Sequence, residues 1–226
     1  MAVLVILFAV AAIGIGIFSY WRVKKRREEL QLVARQLGLS YSQVDMEGCE
    51  ALPFQLLGRG DGRGTENLLA GTWQEMPLRE FDYWYYDETT DSQGKTSRSY
   101  SYFSCAVTEV EAALSPITLA RENVLTRFAD AIGLDDIEYE LEDFNRAFNV
   151  KCRDKKFAND FVDQRMMRWL LAADGGCAFE ASGRWLFAYS RRRAPLELVP
   201  LLGTLRGFRD QVPRVVYDLY GPGSSG

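Results

Sequence analysis

The hydrophobic and polar positions divide this 226-residue chain into two unequal parts. The first part is a near-continuous apolar run over residues 2–20, and five positive side chains follow it within the six positions 22–27. A helix rises about 1.5 Å per residue and the hydrocarbon core of a bilayer is about 30 Å thick, so about 20 apolar residues suffice to cross it. The pattern predicts one transmembrane helix over residues 1–21 and a basic juxtamembrane stalk and linker over residues 22–53.

The second part is predicted to be one globular domain over residues 54–220, with a flexible tail over 221–226. Apolar residues recur there at helical spacing in segments that a glycine closes or a proline begins. The predicted helices are 26–37, which continues the membrane helix as a stalk, then 124–132, 155–171, 200–212 and a short helix after Pro213.

Alternating or short apolar runs predict strands between these helices. The predicted strands are 54–57, 67–73, 78–86, 99–110, 137–141, 148–150 and a hairpin, 177–181 with 184–190, that turns at Ser182-Gly183. Residues 58–64, with a glycine at every second position, are predicted as a loop, and polar residues 87–98 as the mobile tip of a long hairpin. The fold class is therefore predicted to be α+β, a largely antiparallel sheet with packed helices, preceded by the N-terminal transmembrane helix.

The charge distribution predicts which side of the membrane holds the domain. Positive residues collect on the cytoplasmic side, and here the five flanking charges all follow the apolar run, which predicts a cell-membrane protein with a cytoplasmic C-terminal domain. A secretory signal peptide is the alternative, but it needs positive charge before the run and a cleavage site after it. Of 27 basic and 31 acidic residues, 27 − 5 = 22 and 31 remain after the flank, a net charge of −9. Such an acidic domain argues against nucleic-acid binding.

The composition excludes several classes of chemistry. The chain has no histidine, which removes the commonest general base, histidine-dependent catalytic triads and histidine metal ligands. The four cysteines are widely spaced and form no CxxC pair, and no phosphate-binding glycine motif is present. We predict reduced cysteines in a cytoplasmic domain, or two disulfides if the domain is exported. No catalytic residue, cofactor or metal site is predicted.

An aromatic segment, residues 81–86, is the first candidate site. Alternation places Phe81, Tyr83 and Tyr85 on one face of the sheet and Trp84 and Tyr86 on the other, with further aromatic residues on the next strand. One face must be core, and the second is either covered by a helix or binds a partner, because exposed aromatic patches mark interfaces. The predicted partner-binding residues are Trp84, Tyr86, Tyr100 and Tyr102.

Charged and glycine-rich segments give weaker candidates. Arg63 in the glycine loop, together with Asn145 and Arg146, could line an anion pocket, although a flexible loop and a structural cap explain these residues equally well. The acidic run 135–143 is interpreted as the solvated face of a strand rather than a cation site. The three arginines 191–193 are either ordinary surface residues or contacts for lipid or phosphate.

Several motifs together resemble a known family: Phe144-Asn145-Arg146-x-Phe148-x-Val150, Asp154-x-x-x-Ala158, Arg165-Met166-Met167, Gly60-Asp-Gly-Arg-Gly64 and the segment 81–86. The chain resembles uncharacterised bacterial, mostly actinobacterial, single-pass membrane proteins that carry a domain of unknown function. The resemblance covers roughly residues 54–220. It implies a membrane anchor and a small α+β domain, and it implies no substrate, cofactor or catalytic residue.

The first functional hypothesis is therefore a membrane-tethered cytoplasmic module that is not an enzyme. It would lie at the lipid bilayer and bind or scaffold another membrane or envelope protein through the aromatic segment. The alternative is a small-ligand sensor or enzyme with a pocket near the Gly58–Gly64 loop and Asn145-Arg146.

Overall fold

The computed structural model describes residues 2–121 and 137–223. It begins with a continuous helix, α1 (Ala2–Leu37), which ends where Gly38 adopts a left-handed conformation with φ +70°. Glycine adopts this conformation without steric cost and is common just past the end of a helix. Within the described part of the chain, no helix has the length and apolar character needed to cross a membrane.

Six antiparallel strands form one sheet. They are β1 (Ser40–Val44), β2 (Gly62–Trp73), β3 (Met76–Thr90), β4 (Thr96–Arg121), β5 (Phe148–Cys152) and β6 (Cys177–Arg191). The first five lie in the order β1-β2-β3-β4-β5, and β6 pairs with β4. The 26-residue β4 organises the sheet, because β3 and β5 pair with one edge of it and β6 with the other.

The remaining elements are short helices. The α-helices are α2 (Glu142–Ala147), α3 (Lys155–Phe161), α4 (Gln164–Ala172), α5 (Leu198–Gln211) and α6 (Arg214–Tyr220). Three 3₁₀ turns, Cys49–Ala51, Leu56–Gly58 and Pro195–Glu197, complete the described structure. The architecture is α+β with a largely antiparallel sheet and packed helices, as the sequence predicted.

Both faces of the sheet carry a core. The larger core contains the buried faces of the helices, with Phe161, Leu205 and Phe208 among its fully buried residues. The smaller core contains the opposite side chains of β3, β4 and β6, and the segment 49–57 covers it. There Phe54 stacks on Phe187 at 4.4 Å between ring centroids.

The folded unit begins before residue 54. Leu30, Val33 and Ala34 of α1 are at most 2% exposed and belong to the larger core, and β1 pairs with β2. The C-terminal third of α1 is thus part of the domain instead of a free stalk. The predicted boundary at residue 54 was placed too late because the irregular residues between Gly38 and Phe54 conceal a short edge strand.

Several predicted strand and loop boundaries were wrong. The predicted strand 54–57 is instead a 3₁₀ turn, and the predicted glycine loop ends early because β2 starts at Gly62. The predicted hairpin at Ser182-Gly183 is one continuous strand, β6, which follows β4 through two shifts of register. Gly183 has φ +60°, a conformation that lets a bulge form without ending the strand.

The region after residue 136 also differs from the expectation. Residues 137–141 are not a strand; the Asn145 side chain bonds both the N–H and the carbonyl of Tyr139, and α2 follows. The predicted helix 155–171 is two helices, because Asp163 accepts a hydrogen bond from the N–H of Met166 and begins α4. The predicted helix 124–132 and the start of the acidic run lie outside the described residues.

Candidate functional site

The aromatic face, defined as Trp84, Tyr86, Tyr100 and Tyr102, is one continuous surface on the β3–β4 hairpin. The register pairs Trp84 with Tyr102 and Tyr86 with Tyr100, so all four side chains leave the same side of the sheet. Neighbouring ring centroids lie between 5.3 Å, for Tyr86 and Tyr100, and 6.4 Å, for Trp84 and Tyr86. The structure therefore brings together all four residues predicted to bind a partner.

Glycines on the adjacent strand give these rings their position. Gly62 of β2 pairs with Tyr86, and Gly64 pairs with Trp84. A Cβ atom on Gly62 would lie 2.4 Å from the Tyr86 ring, and one on Gly64 would lie 3.0 Å from the Trp84 ring. The alternating glycines thus form the floor on which the rings rest, which explains why this segment is a strand despite its loop-like composition.

The aromatic face remains open to solvent. Tyr100 is 47% exposed and Tyr102 40% exposed, while Trp84 and Tyr86 are half-buried. Two guanidinium groups border the rings: Arg98 lies 4.5 Å from the Tyr86 centroid, and Arg192 lies 5.3 Å from that of Tyr102. An open array of aromatic rings beside arginines is the composition that protein interfaces favour.

The opposite face of the hairpin is core, as alternation predicted. Phe81, Tyr83 and Tyr85 are each at most 4% exposed. Phe103 of β4 stacks on Tyr85 at 5.8 Å between ring centroids. These buried rings give the hairpin a rigid backing, so the aromatic face is held in place by the core behind it.

A buried charge cluster lies next to the aromatic face, one residue pair further along the hairpin. Asp82, whose side chain is 3% exposed, accepts two hydrogen bonds from Arg26 of α1 at 2.6 and 2.8 Å. Asn67 and Arg192 each donate another to Asp82 at 2.9 Å. This one carboxylate therefore joins α1, β2 and the end of β6 to β3.

Glu80 deepens the same cluster. Its side chain is fully buried, and neither carboxylate oxygen has a hydrogen-bond partner within the described residues. Burial, followed by the negative charge of Asp82, raises the pKa of Glu80 well above its ordinary value. Glu80 is thus held protonated over a wider pH range than a solvated glutamate. This cluster was not foreseen in the sequence.

A basic cleft opens where α1 leaves the domain. The Arg26 side chain is 14% exposed, Val23 is 47% exposed and Tyr20 is 67% exposed, so the helix separates from the sheet over these two turns. The gap between α1 and the sheet has a volume of about 830 Å³. We call this gap the basic cleft; its lining includes Arg22, Lys25, Arg26, Tyr102, Arg192 and Arg193.

The residues of the alternative pocket are not brought together. Arg63 lies on β2 opposite Tyr85 and contacts the carbonyls of Leu57 and Arg59 at 3.4 Å. Following the register, Tyr85 pairs with Ser101 near the start of β4. The segment that carries Asn145 and Arg146 lies beside β5, which pairs with the far end of β4, a strand distance of roughly 60 Å.

Asn145 and Arg146 have local structural roles. The Asn145 amide is occupied by the backbone of Tyr139. Arg146 forms an exposed ion pair with Glu142, one helical turn earlier on α2. The interpretation of Asn145 as a cap and of Arg146 as a partner for Glu142 agrees with these contacts.

The described residues offer little reactive chemistry. All four cysteines are free and buried, and burial raises the pKa of Cys49 and of Cys177 to about 12, which disfavours the nucleophilic thiolate. Within residues 2–121 and 137–223, no group of three or more potential metal ligands occurs. The arrangement can bind through rings and charges, and we find in it no assembled catalytic group.

Fold and surface together define an α+β domain that carries an open aromatic face and follows a long N-terminal helix. No family model matches the chain, and no curated protein matches it. Among solved structures, it is similar to the mycobacterial trehalose monomycolate transport factor A, TtfA, with a TM-score of 0.56 and 13% sequence identity. The match covers 82% of this chain and 93% of TtfA, so the two proteins share a fold.

Proposed function

We propose that this chain is a membrane-tethered cytoplasmic domain that binds or scaffolds another membrane or envelope protein and is not itself an enzyme. The observation that carries the proposal is the open aromatic face on a rigid hairpin. Aromatic residues at the core of an interface contribute a large share of binding energy, because they bury much surface and lose little conformational entropy.

The membrane tether rests on the sequence and on the course of α1. The apolar residues 2–20 and the positive flank predict a membrane anchor, and a single helix joins this segment to the core. Ile17, Phe18 and Trp21 are between 57% and 65% exposed, so these apolar side chains have little contact with the domain. A bilayer would cover them, and Trp21 would lie at its interface.

The similarity to TtfA supports the general kind of role proposed. TtfA is described as a factor in trehalose monomycolate transport. For this chain we propose an accessory role at a membrane and no particular cargo. The alternative of a sensor or enzyme loses support because its residues, Arg63 and Arg146, lie at distant parts of the sheet.

The experiment that tests the proposal is photo-crosslinking in living cells. A photoreactive phenylalanine analogue is placed at Tyr100, in the centre of the aromatic face, or at Leu219, which is 44% exposed on α6. We expect a discrete adduct with a membrane or envelope protein from position 100 and none from position 219. The partner is then identified by mass spectrometry of the adduct.

Substitution of the flanking rings provides the control. In the Trp84→Thr/Tyr86→Thr background we expect the adduct to fall at least tenfold, because threonine keeps the strand propensity but removes the rings. The matched change Val215→Thr/Leu219→Thr, which removes exposed apolar surface from α6, should leave the adduct unchanged. No adduct from position 100, or equal adducts in both backgrounds with folded protein, would contradict the proposal.

A further inference from the structure

The basic cleft is a built site whose walls come from two separate parts of the chain. One wall is the face of α1 that carries Arg22 and Arg26, and the other is the end of β6 with Arg192 and Arg193. Five cationic residues line it, since Lys25 is the fifth, and Glu29 is the one carboxylate among the lining residues. Such a surplus of positive charge in a cleft attracts anions.

Two of these arginines are fixed in orientation before any ligand binds. Asp82 holds Arg26 and Arg192 from beneath, and Arg192 also bonds Glu66 at 3.2 Å. The bonds from Arg192 to these carboxylates use one nitrogen, Nη2, and its buried Nε has no partner within the described residues. A guanidinium group has five N–H donors, so Arg192 retains donors for an oxyanion.

The charges nearer the mouth of the cleft are more available. Arg22 forms no ion pair with any described residue, and its guanidinium lies 5.8 Å from the Phe18 ring centroid. Lys25 has only a long contact with Glu29, at 3.7 Å, and its side chain is 74% exposed. The mouth is therefore positive and solvated, while the floor is rigid.

The position of the mouth identifies the ligand. It opens between Ser19 and Arg22, where the apolar part of α1 ends. If residues 2–21 lie in a bilayer, as the proposed function has it, headgroup phosphates lie at this level of the helix. We infer that the basic cleft binds the phosphate of an anionic phospholipid headgroup, with Arg22 and Arg192 as the two principal ligands. This inference rests on the membrane anchor of the proposed function but not on its protein partner.

A phosphate could also come from solution, and a basic segment attracts anionic lipid without any specific site. These three cases predict different results. A built site distinguishes Arg22, which lines the cleft, from Lys24, which is on the same helical turn but outside the lining. Diffuse attraction depends on the sum of charges and treats both residues alike.

The experiment uses the full chain in mild detergent micelles and native mass spectrometry. Phosphatidylglycerol and phosphatidylcholine are added in equal amounts, and the lipid adducts are counted with and without inorganic phosphate. We expect one preferential phosphatidylglycerol adduct. Arg22→Gln should weaken it about tenfold, because a charge-assisted hydrogen bond is lost. Lys24→Gln should change it less than about twofold.

A second pair of variants examines the floor of the cleft. Arg192→Lys keeps the charge near Asp82 but removes the planar guanidinium, and we expect several-fold weaker lipid binding. Arg191→Lys, on the exposed neighbouring residue outside the lining, should have no effect. Circular dichroism confirms that each variant is folded.

Three results would overturn the inference. They are no preference for phosphatidylglycerol, equal losses in Arg22→Gln and Lys24→Gln, and a site that inorganic phosphate fills while the lipid does not. The lipid measurement needs no protein partner. A lipid adduct without a protein crosslink would therefore contradict the proposed function alone, and a crosslink without lipid preference would contradict this inference alone.

Discussion

Asp82→Ala is expected to lower the free energy of unfolding by about 3–5 kcal/mol, because it leaves two arginines without their shared carboxylate. The Arg26 and Arg192 side chains are 14% and 27% exposed, so solvent replaces only part of the lost interaction. Asn67 also loses its acceptor. We expect α1 to separate from the sheet first, since its ion pair with Asp82 is its link to β3.

Urea unfolding of the full chain in detergent micelles measures this loss, and hydrogen exchange of residues 24–34 reports the separation of α1. Asp218→Ala is the matched control: Asp218 contacts Arg214 at 3.9 Å on the surface of α6, with its side chain 64% exposed. Its loss should cost no more than about 0.5 kcal/mol. A stability of Asp82→Ala within about 1 kcal/mol of the unsubstituted chain would show that the cluster does not hold α1.

The stability of the domain is expected to fall as the pH rises from about 4.5 to about 7, and Glu180 is the main described cause that can be removed cleanly. Burial raises the pKa of Glu180 to about 7, although the N–H groups of Gln55 and Leu56 donate to its carboxylate at 2.6 and 3.2 Å. Between the ordinary and the raised pKa, the folded state holds a proton that the unfolded state has released. Folding is therefore favoured at the acidic end of this window, by about 3 kcal/mol for a shift of this size.

Urea unfolding at about pH 5 and about pH 8 tests this dependence. In Glu180→Gln the decline in stability should be smaller, and the remainder is assigned to Glu80, whose pKa is also raised. Asp174 acts in the opposite sense, because the hydrogen bond from Arg193 lowers its pKa, but that effect falls below this window. The same decline in both proteins would mean that Glu180 is not the group responsible.

The parts of the fold that the sequence predicted well are those that local patterns determine. Residues 81–86 alternate between a core face and a solvent face, which gave both the strand and the aromatic face. The helices near residues 200–212 and after Pro213 followed from helical spacing and a helix-initiating proline. In each case the information lies within about two turns or one strand.

The wrong predictions depended on partners far along the chain. Gly62 and Gly64 belong to a strand because the rings of Trp84 and Tyr86 fill the space that their own side chains leave. Ser182-Gly183 resembles a hairpin turn, but 26-residue β4 supplies hydrogen bonds along the whole of β6. Local turn chemistry could not reveal either partner.

The charge cluster was missed for the same reason. Asp82 is separated by 56 residues from Arg26 and by 110 from Arg192. A signal was nevertheless present, because Glu80 and Asp82 are two acidic residues within an otherwise apolar and aromatic strand. Buried acids in such positions need partners, and the arginines of the flank and of residues 191–193 were the available ones.

Together, these features place three functions along a short length of α1. The apolar part anchors the chain, the next two turns form one wall of the basic cleft, and the last turns complete the core. The aromatic face lies next to the cleft, since Tyr102 belongs to both. The proposed protein partner would therefore bind close to the membrane surface.

The most direct test of this account is the membrane topology of the full chain. A cytoplasm-only fluorescent reporter or alkaline phosphatase is fused to the C-terminus in living bacteria, and the membrane and soluble fractions are assayed. The account predicts a fluorescent membrane fraction and no phosphatase activity, because the positive flank keeps the domain in the cytoplasm. Phosphatase activity, or a fluorescent protein that remains entirely in the soluble fraction, would contradict it.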